Sequence, residues 1–252
     1  MGTADFELIP AIDLQGGKCV RLEEGVASRS TEYGGDPVAM ALHWQEQGAG
    51  RLHVVDLDGA FAGEARHLDA VRRICEALRI PVQFGGGLRT MEQMDRIFDL
   101  GVGRAILGSV AVDSPEIVEQ ALLRHPGSIV VGIDARHGKV ALRGWVEQTA
   151  LAALDLAKRM KRLGVERIVY TDVSRDGMLQ GVNLAETETM AREGGLRVIA
   201  SGGVSSAGDV RELWQRRACG IEGVILGRSL YEKRIDFRLL HAQLQLGFES
   251  EC

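Results

Sequence analysis

The chain has 252 residues, of which 45% are apolar and 26% charged, proportions that fit a folded soluble domain and exclude a disordered chain. A net charge of −5 leaves no excess of lysine and arginine to neutralise a run of phosphates, so wholesale nucleic-acid binding is excluded and any phosphate site must be local. No apolar stretch approaches the ~20 residues needed to span a bilayer; the four cysteines, Cys19, Cys75, Cys219 and Cys252, lack metal-type spacing, and nothing N-terminal resembles a signal core, so a cytoplasmic protein with reduced thiols is expected.

Taken in order, short runs rich in β-branched residues alternate with amphipathic stretches. FELIPAI (6–12) is followed by DPVAMALHWQEQG (36–48), RLHVVD (51–56) by ARHLDAVRRICEALR (65–79), IPVQF (80–84) by TMEQMDRIFDLG (90–101), and RAILG (104–108) by SPEIVEQALLRH (114–125). The second half repeats the order: SIVVGID (128–134) with TALAALDLAKRMKRLG (149–164), RIVYTD (167–172) with NLAETETMAREGG (183–195), LRVIASG (196–202) with SAGDVRELWQRRACG (206–220), and GVILG (223–227) with a last helix near Phe237 to Leu246. The apolar runs show no strict polar alternation, which suits strands buried on both faces of a parallel sheet. Asp36-Pro37, Thr90, Ser114-Pro115 and Thr149 read as helix starts, and Gly48, Gly101 and Gly164 as stops. Eight β-α units in this length predict a (β/α)8 TIM barrel, with a doubly wound open sheet as the alternative.

The halves also resemble each other. IDLQGGK (12–18) is echoed by IDARHGK (133–139), PVQFGGGLRT (81–90) by RVIASGGVSS (197–206), GVGRAILGSV (101–110) by GIEGVILGRSL (220–230), and DLDGAFAG (56–63) more loosely by TDVSRDGMLQG (171–181). Such repetition favours one closed barrel over an open sheet, and it predicts a single domain over 1–252 made of two similar half-barrels, about 1–125 and 126–252. A closed barrel with its own core has no need of a partner, so a monomer is expected.

A pair of glycines after one strand reads as a tight turn. Here Gly85, Gly86 and Gly87 with Gly108 and Ser109, then Gly202 and Gly203 with Gly227 and Arg228, recur at matched spacing, and glycine turns that let backbone N–H groups approach an anion make one phosphate cradle in each half. In a ring of eight strands the first and fifth lie opposite, and the gap between the third and fourth lies opposite that between the seventh and eighth. Asp13 and Asp134 then face each other across the mouth at the C-terminal strand ends, where barrel chemistry is found, with the two cradles on a crossing axis. A ligand carrying a phosphate at each end would hold its middle between two carboxylates. That pair suits proton shuttling, one acid to open a ribose ring and one base to take the proton at C2 in an aldose-to-ketose rearrangement of an aminosugar, for which no metal is required. Taken singly, either aspartate also reads as a loop cap.

Thr171 and Asp176 lie beside the Asp134 strand, placed either to hydrogen-bond substrate or orient Asp134, or to knit a loop network. Arg21, Arg143 and Trp145 fall in loops after the first and fifth strands, where they would hold a sugar phosphate or a heterocycle, or make surface salt bridges. The six histidines form no HxH or HExxH pair, which argues against a metal site, and His53 reads as a core residue.

PAIDLQGGKCVRL, HVVDLDGA, FGGGLR, GIDARHGKVALRGW, YTDVSRDGMLQG, SGGVSS and GVILGRSLYE, in this order between residues 6 and 240, resemble the family of histidine-biosynthetic isomerases that act on ProFAR, N'-phosphoribosylformimino aminoimidazole carboxamide ribonucleotide. The resemblance implies an Amadori rearrangement of one phosphoribosylamine moiety without cofactor or metal. It implies that Asp13 is the proton acceptor and Asp134 the proton donor, that Thr171 and Asp176 assist, and that the GGG/GS and SGG/GR segments hold the two phosphates of a bis-phosphorylated small molecule. Symmetry alone does not say which aspartate is acid and which base. Two relatives share the pattern: an isomerase that also accepts phosphoribosylanthranilate in tryptophan synthesis, and the cyclase subunit of imidazole glycerol phosphate synthase, whose first motif carries a lysine where GKCVRL has Arg21. A non-catalytic phosphate-ligand binder would keep the cradles but has no need of both aspartates.

Overall fold

The computed structural model describes residues 6–23 and 26–248, and side chains among these outside 21–30. Its eight barrel strands are β1 (Glu7–Gln15), β2 (Leu52–Asp56), β3 (Val82–Gly85), β4 (Arg104–Leu107), β5 (Ile129–Arg136), β6 (Arg167–Asp172), β7 (Arg197–Ser201) and β8 (Ile221–Leu226). Each pairs in parallel with the next, and β8 pairs with β1, so the sheet closes on itself. A helix follows every strand before the next begins or the chain ends. This is the (β/α)8 barrel expected from the alternation, and its closure leaves no place for the open-sheet alternative.

The strand pleat decides where the carboxylates point. Ile9, Ala11, Ile106, Val130, Val169, Ile199 and Ile225 form a small apolar cluster inside the ring, separate from the larger core between strands and helices. Side chains alternate along a strand, so the inward row of β1 runs Ile9, Ala11, Asp13 and that of β5 runs Val130, Gly132, Asp134. Each aspartate is the last inward residue before its strand leaves the barrel. At the opposite end the ring is plugged by ion pairs: Glu7 with Arg51 at 3.1 Å and Arg104 at 3.3 Å, and Glu222 with Arg167 and with Arg197 at 3.7 Å.

The helices begin where their caps predict. Asp36 accepts from the Val38 amide ahead of Pro37–Glu46, and Thr90 with Gln93 and Ser206 with Asp209 form reciprocal capping boxes for Met91–Asp99 and Ala207–Gln215. One expected start is wrong. Thr149 does not cap a helix: Glu147–Ala152 is a strand, and the helix begins at Ala153 and runs to Arg162. The Thr149 hydroxyl instead donates to the Val140 carbonyl at 2.9 Å, because this segment closes a hairpin.

Both IDxxxGK motifs build such a hairpin. After Asp13, β1 continues to Gln15 and turns back through Gly16 and Gly17, φ 57° and 80°, into an antiparallel strand Lys18–Glu23, itself paired with Val26–Gly34. After Asp134, β5 continues to Arg136 and turns through His137 and Gly138, φ 51° and 72°, into Lys139–Leu142, paired with Glu147–Ala152. Two-residue turns with φ > 0 at both positions match the twist of antiparallel strands, which is why glycine recurs before the lysine. The expectation that Arg21 lies in a loop is therefore corrected: its backbone is in the strand Lys18–Glu23, and its side chain lies outside the described residues.

Candidate functional site

A single cleft at the C-terminal mouth is lined by Asp13, Gly85, Gly86, Gly87, Gly108, Ser109, Asp134, Arg143, Trp145, Thr171, Asp176, Gly202, Gly203, Gly227 and Arg228. Every candidate read from the sequence is thus brought to one place except Arg21, whose side chain is not described. The ring order sets β1 opposite β5, and the β3/β4 cradle opposite the β7/β8 cradle.

The cradles are built alike. Gly86 and Gly202 take φ of 111° and 88°, and a methyl group on them would stand 2.2 Å from the Asp56 carbonyl oxygen and 2.7 Å from that of Asp172. Only glycine lets these turns lie against the end of the neighbouring strand. Further round, Ser109 and Gly227 each lead into a single helical turn, Val110–Asp113 and Arg228–Tyr231.

Asp56 and Asp172 themselves were missed as structural residues. Both are buried at matching strand ends. Asp56 accepts from the amides of Gly59, Arg66 and His67 at 2.7, 2.6 and 2.8 Å, and Asp172 from the Ser174 amide and hydroxyl at 3.0 and 2.5 Å and the Asn183 amide group at 2.7 Å. Each ties down the loop that follows it. The signal was present in the loose DLDG/TDVSRDG echo, where the aspartate is the shared residue.

The two inward aspartates differ in their neighbours. Asp134 pairs in register with Thr171, whereas Asp13 at the equivalent place pairs with Val55. Burial raises the Asp134 carboxyl above the ordinary carboxylate range, and hydrogen bonds from the Trp145 indole, at 2.8 Å, and from Thr171 work against that rise without cancelling it. Arg143, Gly144 and Trp145 all take left-handed backbone, φ 54°, 67° and 71°, and this turn carries the indole to the carboxylate.

Other candidates are engaged in bracing. Arg228 donates to the Gly177 carbonyl at 2.6 Å and pairs with Glu232. Arg143 pairs with Asp113 at 3.4 Å and with Glu147, the surface salt bridging that the sequence left open, and its backbone amide donates to the Ser109 hydroxyl at 2.9 Å. Asp176 donates its amide to the Asp172 carbonyl at 3.1 Å, within the loop network. His53 is buried as expected, 3.0 Å from the Gln83 side-chain amide, and it also borders the cleft. Among the described residues, Asp56, Asp58 and His67 lie close enough to share a cation, but both carboxylates already accept hydrogen bonds from backbone amides and Asp58 also meets His67. A metal would have to displace these contacts.

Fold and cleft together define a (β/α)8 barrel of two like halves, with one inward aspartate and one glycine cradle from each. The chain belongs to the family described as histidine biosynthesis protein, whose model matches residues 7–236. It is 51% identical over 246 residues to the 1-(5-phosphoribosyl)-5-((5-phosphoribosylamino)methylideneamino) imidazole-4-carboxamide isomerase of Desulforamulus reducens, covering 97% of this chain and 99% of that protein. It is 52% identical over 226 residues to the protein of the same name from Synechocystis, covering 90% and 88%, and 50% identical over 231 residues to that from Syntrophotalea carbinolica, covering 92% and 95%.

Proposed function

We propose that this chain is an intramolecular aldose–ketose isomerase that converts ProFAR to its phosphoribulosyl isomer in histidine biosynthesis. The observation that carries this reading is the pair of inward carboxylates, Asp13 and Asp134, set opposite each other across a cleft whose other axis carries two matched glycine cradles. The relatives' name describes a substrate with two phosphoribosyl groups, which fits two cradles. It also supports the isomerase ahead of the cyclase, the phosphoribosylanthranilate-accepting isomerase and the non-catalytic binder.

In the proposed reaction the phosphates dock at Gly85–Gly87 with Gly108 and Ser109, and at Gly202–Gly203 with Gly227 and Arg228. Asp134 protonates the ribose ring oxygen, the C1–O bond breaks and the anomeric nitrogen's electron pair forms a protonated Schiff base. Asp13 removes the C2 proton to give an enolaminol, which becomes the amino-ketose as C1 regains a proton and the C2 hydroxyl gives up its own, so that both carboxyl groups return to their starting states. The raised pKa of Asp134 supports its assignment as the group that starts protonated. Thr171 and Trp145 then stabilise its anion as the proton leaves, Asp176 holds the loop beside it, and Arg143, at the edge of the cleft, faces the substrate. No step calls on a metal or cofactor.

In this reading residues 1–252 work as a single domain, a cytoplasmic monomer that binds no nucleic acid; no helix among the described residues is long and apolar enough to cross a membrane. The test is a spectrophotometric assay with ProFAR on the wild type, Asp13→Asn and Asp134→Asn. Each variant should lose about 10²–10⁴ in kcat; near wild-type turnover by either sinks the two-carboxylate mechanism.

A further inference from the structure

The hairpin that follows Asp13 ends in an exposed glycine turn, Gly16–Gly17. In a two-residue turn the ladder pairs Gln15 with Lys18 and leaves the Gly16 amide without a strand partner. That amide donates to Asp58 Oδ2 at 2.7 Å, across 42 residues of chain. Asp58 sits in the first turn of the short helix Leu57–Ala62, and the same oxygen lies 2.6 Å from His67 Nε2. His67 is anchored in turn, its amide donating to the fully buried Asp56 at 2.8 Å. A continuous chain of hydrogen bonds thus runs from the buried end of β2, through His67 and Asp58, to the turn three residues beyond Asp13.

The same 57–67 loop also backs one phosphate cradle. A methyl group on Gly87 would stand 2.5 Å from the Glu64 carbonyl carbon and 2.6 Å from the Ala65 nitrogen, so cradle and loop are in close backbone contact. Among the described residues the second half has no such arrangement at the matching place: Ser174, the counterpart of Asp58, turns its hydroxyl to Asp172 at 2.5 Å.

The geometry points to Asp58, braced by His67, as a positioning residue for the isomerisation: it fixes the glycine turn, and through it the set of the Asp13 carboxylate against the Gly85–Gly87 cradle. This rests on the reading of Asp13 as a reacting group. Partial burial works against ionisation of Asp58, but the Gly16 amide and His67 outweigh it and hold its carboxyl below the ordinary value, so the acceptor is charged at neutral pH.

The test uses the full chain with glycine labelled in ¹⁵N, in wild-type, Asp58→Ala and Asp58→Asn forms. Hydrogen exchange at the Gly16 amide, thermal midpoints and steady-state ProFAR kinetics are measured for all three. Asp58→Ala should lose protection at Gly16 and about tenfold to a hundredfold in kcat, as expected for a slightly misplaced reacting group, with KM within about twofold because the cradles are intact. Asp58→Asn keeps one carbonyl oxygen that can accept from both the Gly16 amide and His67 Nε2, so it should restore protection and most of kcat. Wild-type kcat in Asp58→Ala, equal losses in both variants, or a loss matched by a fall in thermal midpoint would each overturn the positioning role. A wild type inert towards ProFAR overturns the isomerase reading and that role with it; the exchange data then still report whether Asp58 holds the turn.

Discussion

Thr171 stands directly beside Asp134 in the pairing of β5 with β6 and hydrogen-bonds its carboxylate, whereas the matching place beside Asp13 holds Val55. Two halves that repeat the cradle glycines Gly86 and Gly87 as Gly202 and Gly203 therefore give their aspartates different partners. Thr171→Val makes the second half resemble the first, with little change of volume. Losing a hydrogen bond to a developing carboxylate should lower kcat by about tenfold and leave KM nearly unchanged. A steady-state assay with ProFAR checks this, and unchanged kcat would show that the hydroxyl does not help Asp134 part with its proton.

Trp145→Phe removes the other donor to Asp134 but keeps an aromatic face in the cleft. The indole N–H lowers the pKa of a carboxyl that burial has raised, so its loss should raise that pKa further. A group that must be protonated to act is active below its pKa, and raising the pKa moves the alkaline limb of kcat to higher pH. The profile of kcat against pH in wild type and variant reads this directly. Movement of the alkaline limb to lower pH would contradict the assignment of Asp134 as the acid, and the comparison avoids assigning either macroscopic value to one residue.

The barrel and its two carboxylates were legible because they follow from local periodicity. Apolar runs placed the strands, and the position of Asp13 and Asp134 at the ends of those runs fixed which way they face. Two kinds of feature stayed hidden. The strands Val26–Gly34 and Glu147–Ala152 lack an apolar run, and EQTALA merges by composition with the helix that follows it. Asp56 and Asp172 look like ordinary loop aspartates, since nothing local tells a buried carboxylate collecting amide donors from one facing water. The Asp58–Gly16 contact spans 42 residues, and sequence spacing carries no trace of it.

Glu7, at the far end of the barrel from the cleft, offers a test of the ionic plug by pH. Burial tends to raise its carboxyl, but Arg51 and Arg104 prevail and hold it below the ordinary value of 4.5. Its contribution to stability is thus complete above about the unfolded value and is lost as pH falls through the lower folded value. Glu7→Gln should be less stable by about 1–2 kcal/mol at pH 7, allowing for an acid side chain one-third exposed. Urea unfolding should show the gap closing as the pH drops below 4.5; a gap that stays constant with pH would assign the loss to packing.

The cradles can be separated into parts that hold the fold and parts that hold ligand. Gly86→Ala drives a methyl group to 2.2 Å from the Asp56 carbonyl oxygen at a φ of 111°, and neither is relieved without moving backbone, so a loss of about 2–3 kcal/mol is expected. Gly202→Ala meets the Asp172 carbonyl oxygen at 2.7 Å and should cost less. Gly108 differs: a methyl group there meets nothing within 4 Å, so Gly108→Ala should unfold within about 0.5 kcal/mol of wild type. If a phosphate docks against this backbone, the added methyl intrudes on the ligand alone and should raise KM for ProFAR roughly tenfold, equivalent to ~1.4 kcal/mol of binding. Urea titration and steady-state kinetics on the three variants give the answer. A Gly108→Ala protein with wild-type stability and wild-type KM would remove Gly108 from the phosphate site.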